Sequence, residues 1–378
     1  MKTSQTLSKE TSGAPVGKTA KAPLLRIRGL AMRYGTTTAL EALDLDVLDG
    51  EFLTILGPSG SGKTTLLRLI AGFVAPSAGS IEFDDRDVAG LPINRRPFNT
   101  VFQDYALFPH LRVRENVAFG LRVRGTAKRD TAERVAAALE TVDLAGLADR
   151  YPAELSGGQQ QRTALARAMI CEPRLILLDE PLAALDAGFR RQMQDFLKSV
   201  QRRTGITFLF VTHDQSEAIT ISDRVCVMEG GRIQQIGDPK TLYYRPASRF
   251  VATFFGDNNI IEPAWVVSVA TRTVVLDTPL GRLMVEADAP SSDVVALAIR
   301  PEALTLAVAD SPNQIAGTVE ALTFVGSETI VSIRAVDRGT RLTMKTPSNP
   351  RERDLPLGQM VTLTFDPSAA ALVAADRP

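Results

Sequence analysis

Gly57-Pro58-Ser59-Gly60-Ser61-Gly62-Lys63-Thr64-Thr65 is the stretch on which the reading of this chain turns. It fits the pattern G-x-x-x-x-G-K-[S/T] of a phosphate-binding loop. A chance match in a chain of this length is on the order of one in a hundred at average composition, and the flanks reduce that further. Leu53-Thr54-Ile55-Leu56 ahead of it reads as a buried strand. Leu66, Leu67 and Ile70 behind it fall at helical spacing. Glycines let successive backbone N–H groups turn toward one anion, and the helix start adds its dipole. Lys63 can reach β- and γ-phosphates, and the Thr64 hydroxyl can ligate Mg2+. A bare Gly-rich turn would need neither the Lys nor the Thr.

Working outward, Leu175-Ile176-Leu177-Leu178 and Phe208-Leu209-Phe210-Val211 are continuous apolar runs, the mark of strands covered on both faces. Between them Phe189, Met193, Phe196 and Val200 recur at helical spacing, with Asp186 placed as a cap. Such alternation predicts an α/β fold with a largely parallel sheet over about residues 23–257. Val135, Leu139 and Val142 mark one helical face of an inserted helical subdomain at about 106–160. Leu178-Asp179-Glu180-Pro181 ends one strand. There an Asp can hold Mg2+, and a second carboxylate can polarise an attacking water. Leu155-Ser156-Gly157-Gly158-Gln159-Gln160-Gln161-Arg162 supplies a second glycine-rich helix start, with Ser156 as its cap. One nucleotide does not need two such cradles on the same side. Spacing leaves open whether the second serves this chain or a neighbour.

Beyond about Asn258 the pattern changes. Val361-Thr362-Leu363-Thr364-Phe365 alternates strictly, and Val331, Ile333 and Ala335 alternate with Ser332, Arg334 and Val336. Turn signals recur at Thr278-Pro279, Asp310-Ser311-Pro312 and Ser348-Asn349-Pro350. Residues 258–378 therefore read as an all-β domain, a barrel or sandwich. Residues 1–22 carry Lys2, Lys9, Lys18 and Lys21 among small polar residues and read as a disordered tail without a secretory signal's apolar centre. Composition sets further bounds. Lys+Arg and Asp+Glu number 43 each, so no strong overall charge points to nucleic acid. Two cysteines, Cys171 and Cys226, argue for a reducing compartment, and two histidines (His110 and His213) exclude a Cys/His metal cluster. No run approaches 18 apolar residues.

Leu155-Ser156-Gly157-Gly158-Gln159, lying between a phosphate loop and an Asp-Glu strand end, resembles the signature motif of the ATP-binding cassette (ABC) ATPases. Residues of about 24–255 resemble one cassette. The β-rich remainder, with Ile299-Arg300-Pro301-Glu302, is similar to the C-terminal regulatory (TOBE-like, OB-like barrel) domain of bacterial importer ATPases. The resemblance implies roles. Tyr34 would stack on adenine. Gln103 would touch Mg2+ and the attacking water and sense the membrane partner. Asp179 would support Mg2+, with Thr64 and Gln103. Glu180 would be the general base, and His213 the switch residue at the γ-phosphate. Ala184-Leu185-Asp186 would form the loop at a dimer interface, and His110 would be structural. Two cassettes would close head-to-tail on two ATP molecules. Ser156, Gly157, Gly158 and Gln159 of one would then face the γ-phosphate held by Gly57–Thr65 of the other, which accounts for the surplus cradle. Two departures stand out. Ser61 occupies a position where many importer ATPases have Cys, which implies insensitivity to thiol alkylation there. Ala183 replaces a common Ser of the interface loop.

The runs Asn99-Thr100-Val101-Phe102-Gln103, Tyr105-Ala106-Leu107-Phe108-Pro109-His110 and Glu115-Asn116-Val117-Ala118-Phe119-Gly120 most resemble polyamine-type (spermidine/putrescine) importer ATPases. Relatives for iron(III), sulfate, maltose or aminoethylphosphonate share much of them. The motor does not touch the solute, so it carries only branch-level information about cargo. The resemblance implies a homodimer on two transmembrane permease subunits at the cytoplasmic face of the inner membrane, fed indirectly by a solute-binding protein. Other readings are a soluble cassette ATPase of DNA repair or translation, and a non-hydrolysing nucleotide-binding module. Intact Lys63, Asp179, Glu180 and His213 speak against the last.

Overall fold

The computed structural model describes residues 22–183, 185–308, 310–337, 339–348 and 355–374. All but the last residue of the expected tail, and Ala184 of the expected interface loop, lie outside them.

β1 (Pro23–Tyr34) and β2 (Thr37–Leu48) form a hairpin, and β3 (Phe52–Leu56) runs through a loop into α1 (Lys63–Ala71). β4 (Ala78–Phe83) and β5 (Arg86–Asp87) complete an antiparallel sheet of order β2-β1-β4-β5. β6 (Asn99–Val101) leads to α2 (Val113–Val123), α3 (Lys128–Thr141) and α4 (Gly157–Met169). Then come β7 (Leu175–Asp179), α5 (Ala187–Thr204), β8 (Thr207–Thr212), α6 (Gln215–Ile221), β9 (Arg224–Glu229) and β10 (Arg232–Gly237). The second sheet has the order β10-β9-β3-β8-β7-β6 and is parallel except at its β9–β10 edge.

The continuous apolar runs are explained by two cores. Phe52, Ile176, Leu178, Phe208 and Phe210 point into a core shared with the helices α2 to α5. Their neighbours Leu53, Ile55, Leu175, Leu177, Leu209 and Val211 point the opposite way, against α1 and the antiparallel sheet. Both faces of the runs Leu175–Leu178 and Phe208–Val211 are therefore covered, and both runs are apolar throughout. Phe52 stacks on Phe208 at 5.4 Å between ring centroids. Such a pair contributes about 0.5–1.5 kcal/mol beyond its buried area. Val135, Leu139 and Val142 are buried as their spacing predicts. Phe189 departs from its predicted stripe. Met193, Phe196 and Val200 are buried, but Phe189 is 54% exposed. It sits in the first turn of α5, one turn beyond the point where the core ends.

α7 (Pro239–Tyr244) and α8 (Arg249–Phe254) lead to the all-β part. β11 (Asn259–Ala270), β12 (Thr273–Thr278), β13 (Gly281–Glu286), β14 (Val294–Ile299), β15 (Thr305–Leu306), β16 (Ile315–Phe324), β17 (Glu328–Ala335), β18 (Arg341–Pro347), β19 (Met360–Thr364) and β20 (Ala370–Ala374) pair as two antiparallel sheets. Their orders are β13-β12-β11-β14-β20 and β15-β19-β16-β17-β18. Val331, Ile333, Ala335, Val361, Leu363 and Phe365 belong to the single core between them.

Arg300 and Glu302 form the joint to the α/β part. The Arg300 guanidinium lies 3.6 Å over the Tyr243 ring, and Tyr243 Oη donates to Glu302 Oε1 at 2.6 Å. Among the described residues no helix is long and apolar enough to cross a membrane.

Candidate active site

Strands β3, β8, β7 and β6 lie side by side and end at the same edge. In open parallel sheets ligands bind at this carboxyl edge. β3 delivers the glycine loop. Gly60 and Gly62 have φ of 79° and 98°, in the left-handed region that favours glycine. A side chain at Gly57 would meet the Met228 carbonyl oxygen at 2.4 Å, and one at Gly62 would meet Leu40 Cδ2 at 2.6 Å. The loop's shape is thus enforced by the chain's own packing. Gly62 caps α1 without any side-chain bond, which leaves the first amides of the helix directed at the loop's mouth.

Lys63 is 6% exposed, and its Nζ donates to the carbonyls of Gly57 at 2.8 Å and Pro58 at 2.9 Å. Burial pulls its pKa below the usual lysine value, against the opposing charges of Glu180 and Asp179. Ser61 Oγ is buried with no partner, an orphaned hydroxyl inside the cradle. Thr64 and Thr65 are half-buried at the head of α1. The helix-start amides, the Lys63 ammonium and the Thr64 and Thr65 hydroxyls gather on this one loop, the donor set a phosphate requires.

β7 ends in Asp179, paired with Val211 of β8. Burial first, and then the neighbouring Glu180 charge, push the Asp179 carboxyl above its usual range, while Arg68 and Lys63 oppose them. Glu180 has φ of 42°, an uncommon conformation for a residue other than glycine. Its amide donates to the Val211 carbonyl at 3.1 Å, which locks the turn onto β8. His213 follows β8, and its Nδ1 lies 3.1 Å from Glu180 Oε2. The pair is 33 residues apart in sequence and is joined only by parallel-strand register. Gln103 is exposed, two residues beyond β6, whose Val101 pairs with Leu178. The turn after Gln103 holds Tyr105 and Ala106 at positive φ, and Arg167 of α4 donates to both carbonyls, at 2.8 and 2.6 Å. Tyr34 is 49% exposed at the tip of the hairpin whose Ala39 and Leu40 crowd Gly62. Among the described residues no cluster of three His, Cys, Asp or Glu side chains forms a metal cage. His110 is exposed, with its ring against Phe108.

The second glycine-rich helix start is built differently. Ser156 caps α4. Gln159 N donates to Ser156 Oγ at 3.4 Å, and Ser156 N donates to Gln159 Oε1 at 3.0 Å. Side chains at Gly157 and Gly158 would meet Leu185 and Met193 only at 3.5 and 3.6 Å, ordinary contact distances. The chain itself therefore does not require glycine at either position. Asp186 caps α5 through the amides of Gly188 and Phe189, both at 3.1 Å. Sequence reading missed Arg167 and Arg190, two arginines whose partners are carbonyls and carboxylates of distant loops. No local motif marks them.

A glycine-rich loop with its lysine and threonine at a parallel-strand edge, beside a strand that ends in an aspartate, marks the phosphate-loop NTPases. Residues 40–183 match the ABC transporter family and residues 297–373 the TOBE domain. A spermidine/putrescine import ATP-binding protein of Rubrobacter xylanophilus is 48% identical over 90% of this chain and 91% of its own length. One from Ruegeria pomeroyi is 44% identical over 96% of this chain and 99% of its own length. Among solved structures, the cbiO1 subunit of the Clostridium perfringens cbiONQ ABC transporter complex is 32% identical with a TM-score of 0.55, over 58% of this chain and 90% of that one. A dimeric ATP-binding cassette in a post-hydrolysis state with ADP and phosphate is 30% identical with a TM-score of 0.50, over 57% of this chain and 98% of that one. The chain belongs to the ABC transporter ATP-binding proteins that carry a TOBE domain.

Proposed function

We propose that this chain is the ATP-hydrolysing motor of a polyamine (spermidine/putrescine) importer. In this reading two copies work head-to-tail on two permease subunits at the cytoplasmic face of the membrane, and a solute-binding protein supplies the cargo. Residues 23–257 form the motor and 258–378 the regulatory domain. The observation that carries the reading is the convergence of Lys63, Asp179, Glu180 and His213 at one strand edge, while a second cradle stands open on α4. The names of the relatives supply the cargo.

Each residue has a part in γ-phosphate cleavage. The amides of Gly57–Thr65 and the Lys63 ammonium hold the β- and γ-phosphates and neutralise charge that develops there. Glu180 accepts the proton of the attacking water, and His213, 3.1 Å away, fixes the Glu180 carboxylate and reaches the γ-phosphate. Gln103 orients the water. Tyr34 offers an exposed ring to adenine. Ser156, Gly157, Gly158 and Gln159 of the second copy close over the γ-phosphate, and Asp186 of each copy orders the loop between them. Thr64, Gln103 and Asp179 would hold Mg2+. Their hydroxyl, amide and carboxylate oxygens are the hard donors it takes. Bound with the nucleotide, Mg2+ would offset phosphate charge.

Two measurements test the reading. Glu180→Gln should lower turnover about 10²–10⁴-fold while trapping an ATP-bound dimer visible by size exclusion. Retention of wild-type turnover would remove Glu180 as the base. Deleting the gene should abolish uptake of radiolabelled putrescine and spermidine and spare iron(III), sulfate, maltose and aminoethylphosphonate. A deletion strain that keeps polyamine uptake and loses one of the others would reassign the cargo.

A further inference from the structure

Arg190 stands in the first turns of α5, four residues after Asp186, and its guanidinium is shared between two loops. Nη2 donates to the Leu185 carbonyl at 3.1 Å, and Nη1 donates to Asp214 Oδ2 at 3.1 Å. Nε is buried without a hydrogen bond, 3.7 Å from Glu217 Oε1. Leu185 lies in the turn that precedes α5, and Asp214 directly follows His213. One planar side chain therefore ties the backbone of the first turn to the carboxylate of the second. A lysine, with a single point of charge, does not reproduce that fork.

Asp214 extends the tie through a continuous set of hydrogen bonds. Its Oδ1 accepts from Ser216 N at 2.8 Å, Ser216 Oγ at 2.6 Å and Glu217 N at 3.2 Å, as the cap of α6. Its own amide donates to Thr212 Oγ1 at 3.0 Å, and that hydroxyl donates to Glu217 Oε2 at 2.6 Å. Burial would push the Asp214 carboxyl up, but the bonds from Ser216 and Glu217 and the Arg190 charge together hold it below its usual range. His213 is thus flanked by two anchored residues. Asp214 is peptide-bonded to His213, so the turn that Arg190 holds is the turn that sets His213, whose Nδ1 is 3.1 Å from Glu180 Oε2.

We propose that Arg190 is a positioning residue that links the turn at 185–186 to the switch turn at 212–214. A second copy pressing on the first turn would then set the His213–Glu180 pair for cleavage. This deepens the reading above. From it come the assignment of 184–186 to the dimer interface and of Glu180 as base. The relay itself comes from the hydrogen bonds.

The full-length protein tests it by steady-state ATPase assays of Arg190→Ala, Arg190→Lys, Asp214→Asn and the double variant Arg190→Ala/Asp214→Asn. Size exclusion with ATP is run on Arg190→Ala in the Glu180→Gln background. Loss of two charge-assisted bonds should lower kcat about 10–100-fold, with KM changed less than about twofold because the nucleotide is not touched. Arg190→Lys should recover only part of the rate. The double variant should fall no further than the worse single variant, since both break one chain of contacts. Arg190→Ala/Glu180→Gln should still dimerise on ATP. Wild-type kcat in Arg190→Ala, additive losses in the double variant, or full rescue by lysine would overturn the relay. So would a dimer lost together with a raised KM, because Arg190 would then serve folding or assembly. Wild-type turnover in Glu180→Gln alone would instead sink the underlying assignment of the base, and the relay would fall with it.

Discussion

The two glycine-rich helix starts, at Gly57–Thr65 and Ser156–Gln159, use the same backbone chemistry for opposite purposes. In the first, glycine is demanded from within. Gly57 and Gly62 are crowded by Met228 and Leu40, and Gly60 and Gly62 have positive φ. That cradle is also stocked with its own cation, Lys63, and with an orphaned hydroxyl, Ser61 Oγ. In the second, the helix is capped by its own serine, and Gly157 and Gly158 would tolerate a methyl group without disturbing their neighbours. Glycine there has no work to do inside the chain. In the proposed function its small size would leave room for the nucleotide held by a second copy. A cradle that is complete internally and one left open on its outer side are what the proposed head-to-tail pairing of two copies would require.

The widest separation between them should come from Gly158→Asp. Its Cβ would lie 3.6 Å from Met193, so folding and nucleotide binding by the isolated chain should persist. Turnover should drop about 10²–10³-fold, the effect of losing a preorganised oxyanion donor, as checked by coupled ATPase assay beside fluorescent-nucleotide binding. Lost binding by the monomer would break the comparison. Gly57→Ala is the converse. A methyl group 2.4 Å from a carbonyl forces backbone movement, so stability should fall by about 1–3 kcal/mol in denaturant melts, with nucleotide binding impaired in the monomer. The smallest effects belong to the two serines. Ser156→Ala removes a cap and should cost about 0.5–2 kcal/mol. Ser61→Ala removes a buried hydroxyl that has no partner and should leave the nucleotide-free melt unchanged or slightly raised. A loss at Ser61 as large as that at Ser156 would mean that its hydroxyl is satisfied.

Legibility followed locality. The loop Gly57–Thr65, the Asp179–Glu180 strand end and the Ser156 cap are runs of adjacent residues, and covalent spacing alone fixes their geometry. The alternating strands of the C-terminal part were readable because one face of each is wet. Phe189 misled because periodicity assigns a face and not an extent. Its turn projects past the core that buries Met193 and Phe196. Arg167 and Arg190 carried no signal, since an arginine on a helix surface looks the same whether it meets water or, as here, the Ala106 carbonyl and the Asp214 carboxylate of distant loops.

From the amino acids in order came the kind of ligand and the groups that would grip it, because backbone freedom at glycine and the reach of one lysine are properties of a short segment. Folding decided which groups meet. Parallel register between β7 and β8 sets Glu180 beside His213, and the crossing of α5 over two loops hands Leu185 and Asp214 to one guanidinium. The Glu180–His213 and Arg190–Asp214 contacts span 33 and 24 residues, and the packing of the folded chain determines them.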